Sequence, residues 1–303
     1  MHRVTLRPMN RGVSFRYVMT GVAFAALWAS AGTAGKLGLQ SAEPLFLFTF
    51  RFMVAGGLMV AYTHLVSKDR LPAGREWKNL AIFGLFNTAL YLGIFISALQ
   101  YLTAGITALA IALNPLIMSI LSSRVLGRKV RPAEWAGIFI GLVGVAIATW
   151  PLLESEHVSP GGFALLLFAM VTYSIGSIFY SSVNWQLARL TINGWQVLLG
   201  GLMLLPFAIV FYQGGNKMDL NFWLAEFWLI LPVSVVSMQL WLVLLRDDAV
   251  KASLWLFLCP IFGLSISIWL LDDPFSWHTA VGTIMVMAAL AIGQRREKES
   301  GED

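Results

Sequence analysis

Apolar residues fall along the chain in long uncharged runs rather than in alternating or heptad patterns. The stretch from Asn87 to Ser123 holds thirty-seven residues without a charge. That is too long for one membrane span and suited to two, with the break at Gln100–Gly105, so it predicts a hairpin of two transmembrane helices. Ten such runs can be placed: 16–35, 45–66, 79–99, 103–123, 133–151, 161–181, 194–213, 224–245, 250–271 and 276–293. Proline and glycine punctuate the joins, at Pro44, Pro72, Pro132, Pro151, Pro160 with Gly161, Gly214 with Gly215, and Pro274. The expected fold class is an all-α polytopic membrane protein with antiparallel neighbouring helices.

The pattern repeats at a fixed offset of 145 residues. Trp28 meets Tyr173, Arg51 meets Gln196, Gly56 meets Gly201, Leu99 meets Leu244, Ala104 meets Ala249, Leu109 meets Leu254, Pro115 meets Pro260 and Gly137 meets Gly282. Residues 1–150 and 151–303 therefore read as two five-helix repeats, the second carrying a basic tail. Five is odd, so the second repeat enters from the opposite face. Inverted repeats are a common build of secondary transporters, whose substrate site lies near mid-membrane between the halves.

Composition agrees: 58% hydrophobic, 12% charged and a mean hydropathy of +0.73 leave no room for a soluble domain. A net charge of +5 could suggest nucleic acid. The basic residues, however, sit in short blocks between apolar runs, and no nucleic-acid partner is expected. Eighteen Lys and Arg fall in the tails and even-numbered loops, and only Lys36 and Lys217 in the odd-numbered ones. That asymmetry predicts both termini cytoplasmic. Arg3, Arg7, Arg11 and Arg16 before an apolar run, with Ala29-Ser30-Ala31 after, resemble a signal peptide. Because this segment is the first helix of the repeat, it is expected to be retained. Cys259 is the only cysteine, so no intrachain disulfide forms.

Catalytic constellations are absent from the sequence. His2, His64, His157 and His278 are scattered without a second ligand at metal spacing, and no nucleotide-binding loop is present. No metal, cofactor or catalytic residue is expected. The candidate binding residues are polar and aromatic side chains at helical spacing; the large amphipathic ones fit poorly as helix glue, while the serines also suit interhelical packing. Trp28 lies on helix 1, Asn87 and Tyr91 on one face of helix 3, and Asn114 on helix 4. Tyr173 and Ser177 share a face of helix 6, Ser237 and Trp241 of helix 8, and Trp255 lies on helix 9. Arg51 is the only charge well inside a span, where it would line a cavity, or snorkel to the interface or pair with Glu43 as an anchor. Pro115 and Pro260 lie mid-helix at matching places and are candidate gate hinges. Trp77, Trp135, Trp150 and Trp277 fall near predicted interfaces, as belt residues do. Glu226 and Asp272 sit near helix ends, so no buried carboxylate is expected to carry a proton.

These residues carry a resemblance. Trp28-Ala29-Ser30 with Lys36, Arg51-Phe52, Asn114-Pro115-Leu116, Trp195-Gln196, Ala252-Ser253, Cys259-Pro260-Ile261 and Gly282, in that order and spacing, resemble the drug/metabolite transporter superfamily, of the EamA-domain type. The resemblance covers both halves. It implies a ten-helix bacterial inner-membrane transporter working by alternating access as a monomer or homodimer, most similar to exporters of amino acids and related metabolites. Import of a nutrient or vitamin, and a membrane-embedded enzyme or receptor-like binding protein, are the alternative readings. One departure is visible: members carry a Gly-Glu pair after helices 4 and 9, where this chain has Gly127-Arg128 and Asp272-Asp273.

Overall fold

The computed structural model describes residues 15–101, 107, 110–153, 159–271 and 276–294. Among the described residues, ten helical spans follow in the order the hydropathy predicts. The first half holds α1 (Phe15–Gly38), α2 (Pro44–Val66), α3 (Arg75–Ala98), α4 (Ala110–Val125) and α5 (Pro132–Leu153). The second holds α6 (Pro160–Ser182), α7 (Arg189–Val210), α8 (Leu220–Asp247), α9 (Ala249–Leu254 continuing through Leu258–Leu271) and α10 (Trp277–Gly293). Seven are long and apolar enough to span a bilayer by length and composition, and α4, α9 and α10 are shorter apolar helices. The chain is an all-helical polytopic membrane protein. The expected start of the fourth run and the acidic pair Asp272-Asp273 lie outside the described residues.

Local chemistry sets the helix starts. Pro44, Pro132 and Pro160 open α2, α5 and α6 in the first turn, where a missing N–H costs nothing. Ser159, Asp219, Asp248 and Ser276 cap α6, α8, α9 and α10 by accepting from the orphan N–H groups of the first turn.

The packing obeys the repeat. α2 lies against α7 and α5 against α10 along most of their lengths. α1 packs on α8 and α9, and correspondingly α6 packs on α3 and α4. Exchanging α1–α5 for α6–α10 maps this contact pattern onto itself, as expected for two inverted five-helix repeats. The matched glycines explain the two self-paired interfaces. A Cβ on Gly56 would lie 2.6 Å from the Leu198 backbone nitrogen of α7, and one on Gly201 would lie 2.9 Å from Phe52 Cβ of α2. Gly137 and Gly282 hold α5 and α10 together in the same way, against Ala289 with Gly293 and against Gly144 with Ala148. Small residues let backbones approach where apolar area supplies little drive between helices in lipid.

Helix irregularities repeat as well. α3 carries a π-helical segment at Leu85–Leu90 and α8 one at Leu229–Ser237. α4 is interrupted at Leu113, whose N–H bonds to Ala110 O at 3.1 Å, three residues back. α9 tightens into a 3₁₀ turn at Trp255–Phe257. Both interruptions fall just before the matched prolines, so Pro115 opens a new helical segment rather than bending a continuous one. The Ile111 carbonyl that Pro115 would leave unbonded receives Asn114 Nδ2 at 3.1 Å.

The interface at Gly56 is tested directly by overpacking. Gly56→Ala should destabilise the protein by about 1–3 kcal/mol in thermal unfolding in detergent, because the neighbour is backbone and must move. Gly57→Ala, with nothing within 4 Å of the new Cβ, should change stability by less than about 0.5 kcal/mol.

Candidate functional site

Where the two halves meet, α1, α3, α6 and α8 each deliver one large aromatic side chain to a common cluster. The Tyr91 and Tyr173 rings have centroids 4.6 Å apart, and Tyr173 stacks on Trp241 at 5.6 Å. Trp28 stacks on Tyr173 at 6.1 Å and on Tyr91 at 6.5 Å. Phe24, one turn from Trp28, stacks on Trp241 at 4.8 Å. Tyr91, Tyr173 and Trp241 are buried, while Trp28 is partly exposed.

Buried polar atoms without a protein partner gather around these rings. Among the described residues, Trp241 Nε1 and Asn87 Oδ1 have none, and Tyr173 Oη and Ser177 Oγ have at most each other. Buried atoms without a partner also occur elsewhere, at Thr49, Ser119, Ser122 and Trp255 among others, whereas Asn114 donates to Met170 Sδ at 3.0 Å and accepts from Ser174 Oγ at 3.1 Å. Burying a polar group without a hydrogen bond costs on the order of 1–3 kcal/mol, so a cluster of them marks where a ligand with its own donors and acceptors would bond.

Beside the cluster, a polar chain runs across four helices. Arg51 of α2 is 2% exposed and donates from Nε to Ser234 Oγ of α8 at 2.8 Å. Its guanidinium carbon lies 5.0 Å from the Phe48 ring centroid and 5.3 Å from that of Phe52. Asn193 of α7 donates to the Ser234 carbonyl at 2.9 Å and accepts from Gln196 Nε2 at 3.1 Å. Gln196 in turn accepts from Thr88 Oγ1 at 2.7 Å and from Asn87 Nδ2 at 3.4 Å on α3. Arg51 and Gln196 occupy equivalent positions of the two repeats, and each grips a hydroxyl in the π-helical segment of the other half. The Arg51 charge also acts on Tyr91 and Glu226.

The expected residues divide accordingly. Trp28, Tyr91, Tyr173 and Trp241 share one site, with Ser177 one turn below Tyr173. Asn87 reaches Arg51 through the polar chain. Ser237 is turned to packing, its Oγ 3.5 Å from the Phe24 carbonyl. Trp255 lies away from the four rings, edge-on to Tyr17 at 5.9 Å and against Gly21. Asn114 faces α6. Two expectations about charge are corrected. Arg51 neither snorkels nor pairs with Glu43, whose Oε1 accepts from Gln213 N at 2.9 Å, because Ser234 and the aromatic rings turn the guanidinium inward. Glu226, expected at an accessible helix end, is 1% exposed, since α1 and the Phe46–Phe50–Phe222 cluster close over the first turns of α8. Phe24, Asn193, Gln196 and Ser234 complete the site; the i, i+4 spacing of Phe24 to Trp28 and the i, i+3 spacing of Asn193 to Gln196 are their sequence signals.

Both ends of the bundle are laced across the halves. At one end, Ser41 Oγ donates to Asp219 Oδ1 at 2.6 Å and Glu43 N to Asn216 Oδ1 at 2.8 Å, beside a cleft of about 400 Å³ lined by Gln40, Glu43 and Lys217. The Ser41 hydrogen bond holds the Asp219 carboxyl below its usual range. At the basic end, Arg128 bridges Glu134 at 2.7 Å and Asp248 at 2.8 Å, joining the α4–α5 loop to the α8–α9 junction. Burial disfavours the Arg128 charge, but these carboxylates outweigh it and hold the guanidinium above its ordinary pKa. The departure at Gly127-Arg128 thus places a cation where it clasps the opposite repeat.

Known proteins bear on this arrangement. The EamA-like transporter family matches the chain twice, over residues 15–150 and 160–292. The chain is 28% identical over 228 residues to the uncharacterized inner membrane transporter YedA of Escherichia coli, covering 73% of this chain and 71% of that one. It is 26% identical over 273 residues to protein PecM of Dickeya dadantii, covering 88% and 89%. A crystal structure superposes with a TM-score of 0.77 at 19% identity, covering 91% of this chain and 96% of that one, a likeness of fold.

Glu134 has no exposure and accepts from Arg128 and from Arg131. Glu134→Gln should cost about 1–3 kcal/mol, the lower range for charged pairs because both guanidiniums are partly exposed, read as a drop in unfolding midpoint. An unchanged midpoint would assign the clasp no mechanical role.

Proposed function

Because the chain belongs to the EamA-like transporter family, and is a multi-pass membrane transporter, we propose that it exports an amino acid or amino-acid-derived compound from the bacterial cytoplasm by alternating access. The proposed setting is the inner membrane, with both termini cytoplasmic, supported by the eighteen-to-two distribution of basic residues. Residues 1–150 and 151–303 are the proposed moving halves, in monomeric or homodimeric protein.

One observation carries the substrate class: a buried arginine held beside an aromatic cluster whose polar atoms lack protein partners. A guanidinium presents five N–H donors in a planar fork, and Ser234 takes one. The fork suits a carboxylate, which it can bind through two parallel hydrogen bonds. Ser234 and the rings of Phe48 and Phe52 fix its plane, so little rotamer entropy is lost when a carboxylate arrives. The faces of Trp28, Tyr91, Tyr173 and Trp241 supply apolar area for a side chain, and Tyr173 Oη and Trp241 Nε1 supply hydrogen bonds.

The symmetric build supports rocking. The self-paired interfaces α2–α7 and α5–α10 persist under exchange of the halves, while the laced loops at the two ends are the contacts to break in turn. The interruptions before Pro115 and Pro260 are the proposed hinges.

The test is flux in proteoliposomes loaded with radiolabelled amino acids. Arg51→Lys should raise the half-saturation concentration for a carboxylate substrate by about tenfold or more, since a point charge cannot reproduce the fork, and Arg51→Ala should abolish saturable flux. Trp135→Ala, on the exposed face of α5, should transport normally. Wild-type kinetics in Arg51→Lys would remove Arg51 from the site.

A further inference from the structure

Glu226 is not used by the reading above, yet it is the most unusual buried group in the molecule. It lies in α8 six residues after Leu220, about 9 Å along the helix from its start. Arg51 lies in α2 seven residues after Pro44, about 10 Å along a helix that begins at the same end. The two side chains therefore share a layer of the bundle, and each is at most 2% exposed. Both carboxylate oxygens of Glu226 lack a hydrogen-bond partner among the described residues. No ion pair within 4.0 Å joins it to Arg51.

The groups around Glu226 are few. α1 presents Ser30, already bonded to Trp228 Nε1 at 2.8 Å, and its only charge near that end, Lys36, is exposed. α2 presents Arg51, which is the charged group whose field reaches Glu226. α3 presents Tyr91, which interacts with Arg51. On α8 itself, Ser234 is bonded to Arg51. Its neighbours along α8, Phe222, Ala225 and Leu229, are apolar and fully buried.

An anionic carboxylate with neither a hydrogen bond nor an ion pair is too costly to keep in such a place, so in this conformation Glu226 holds a proton. Arg51, bonded to Ser234 and flanked by the Phe48 and Phe52 rings, keeps its charge, as a guanidinium in a protein does. The layer thus offers a fixed cation beside a carboxyl that becomes an anion only when something positive replaces its proton. An α-amino acid has that form: its carboxylate meets Arg51 while its ammonium faces Glu226.

We propose that Glu226 is a proton-binding site at which a proton and the ammonium group of the substrate exclude one another, so that the transporter exchanges one proton for one amino acid. The proposal rests on the amino-acid reading of the Arg51 site. The step balances without a co-reactant: the Glu226 carboxyl O–H breaks, the proton leaves to the aqueous phase on the open side, and the carboxylate pairs with the incoming ammonium. After release on the other side, a proton from that side restores the neutral carboxyl. An inward proton gradient would then drive export.

Two measurements test it, one of them independent of substrate. In infrared difference spectra of the substrate-free protein between acid and alkaline pH, the wild type should lose a protonated-carboxyl C=O band that Glu226→Gln lacks; a band of equal size in the variant would overturn the proton site. In proteoliposomes given L-leucine, L-phenylalanine, L-threonine and L-lysine, the amino acid that moves should be driven by an imposed pH gradient. Its apparent affinity should fall about tenfold per pH unit on the acid side of the Glu226 titration. Glu226→Gln should show weak, pH-independent flux, and Glu226→Asp should keep the pH dependence. PH-independent affinity in the wild type would overturn the competition. If the wild type moves none of the four, the amino-acid reading and the competition fall together, while the infrared result still decides whether Glu226 binds a proton.

Discussion

The structure depends on one constraint: in a bilayer, a polar group that finds no partner inside the protein finds none at all. The chain meets it by running two pairs of helices so close that glycines replace side chains, and by spending its few polar residues where those helices cross. Arg51 on α2 reaches Ser234 on α8, and its repeat equivalent Gln196 on α7 reaches Thr88 on α3. Each bond ties one half of the molecule to a π-helical segment of the other. A π turn leaves backbone groups offset from the regular ladder, and in α8 it also accommodates Pro232, which has no N–H to give. The polar clasp and the irregular helices are two sides of one arrangement.

That arrangement separates satisfied from unsatisfied groups. Away from the centre, several hydroxyls bond to carbonyls a turn earlier, as Thr149 does to Val145 at 2.8 Å and Ser253 to Val250 at 2.6 Å. At the centre, Tyr173, Ser177 and Trp241 are buried with unpartnered polar atoms beside stacked rings. A packing role would favour the first pattern everywhere, because each unpaired atom costs more than a hydrogen bond returns. At the meeting point of α1, α3, α6 and α8 the second pattern coincides with stacked rings from both repeats, the combination that a site for a small amphipathic molecule requires.

Much of this was legible in the sequence, for identifiable reasons. Hydropathy placed ten spans because each lipid-crossing helix must be almost uncharged. The offset of 145 paired Gly56 with Gly201 and Gly137 with Gly282, and the structure puts each of these pairs at a self-paired interface where close backbone approach constrains it. Four of the candidate site residues, Trp28, Tyr91, Tyr173 and Trp241, do meet. The misses concern what surrounds a residue rather than where it lies in the chain. Glu226 is near a helix end in sequence yet enclosed in space, because neighbouring aromatic residues cap that end. Trp255 lies in the 3₁₀ turn Trp255–Phe257, where it packs against Tyr17 rather than on the four rings. Arg51 turns inward because its hydrogen-bond partner comes from the other repeat, 183 residues away, which no local pattern reveals.

The central claim is that one site between the two halves is reached from each side of the membrane in turn. Its most direct test needs no knowledge of the substrate. A single cysteine replacing Tyr173, in a Cys259→Ser background, is exposed to an impermeant thiol reagent in right-side-out and in inside-out vesicles. Alternating access predicts labelling from both sides, each slowed when the loops at that side are crosslinked shut. Labelling from one side only, in protein that is inserted and folded, would contradict it.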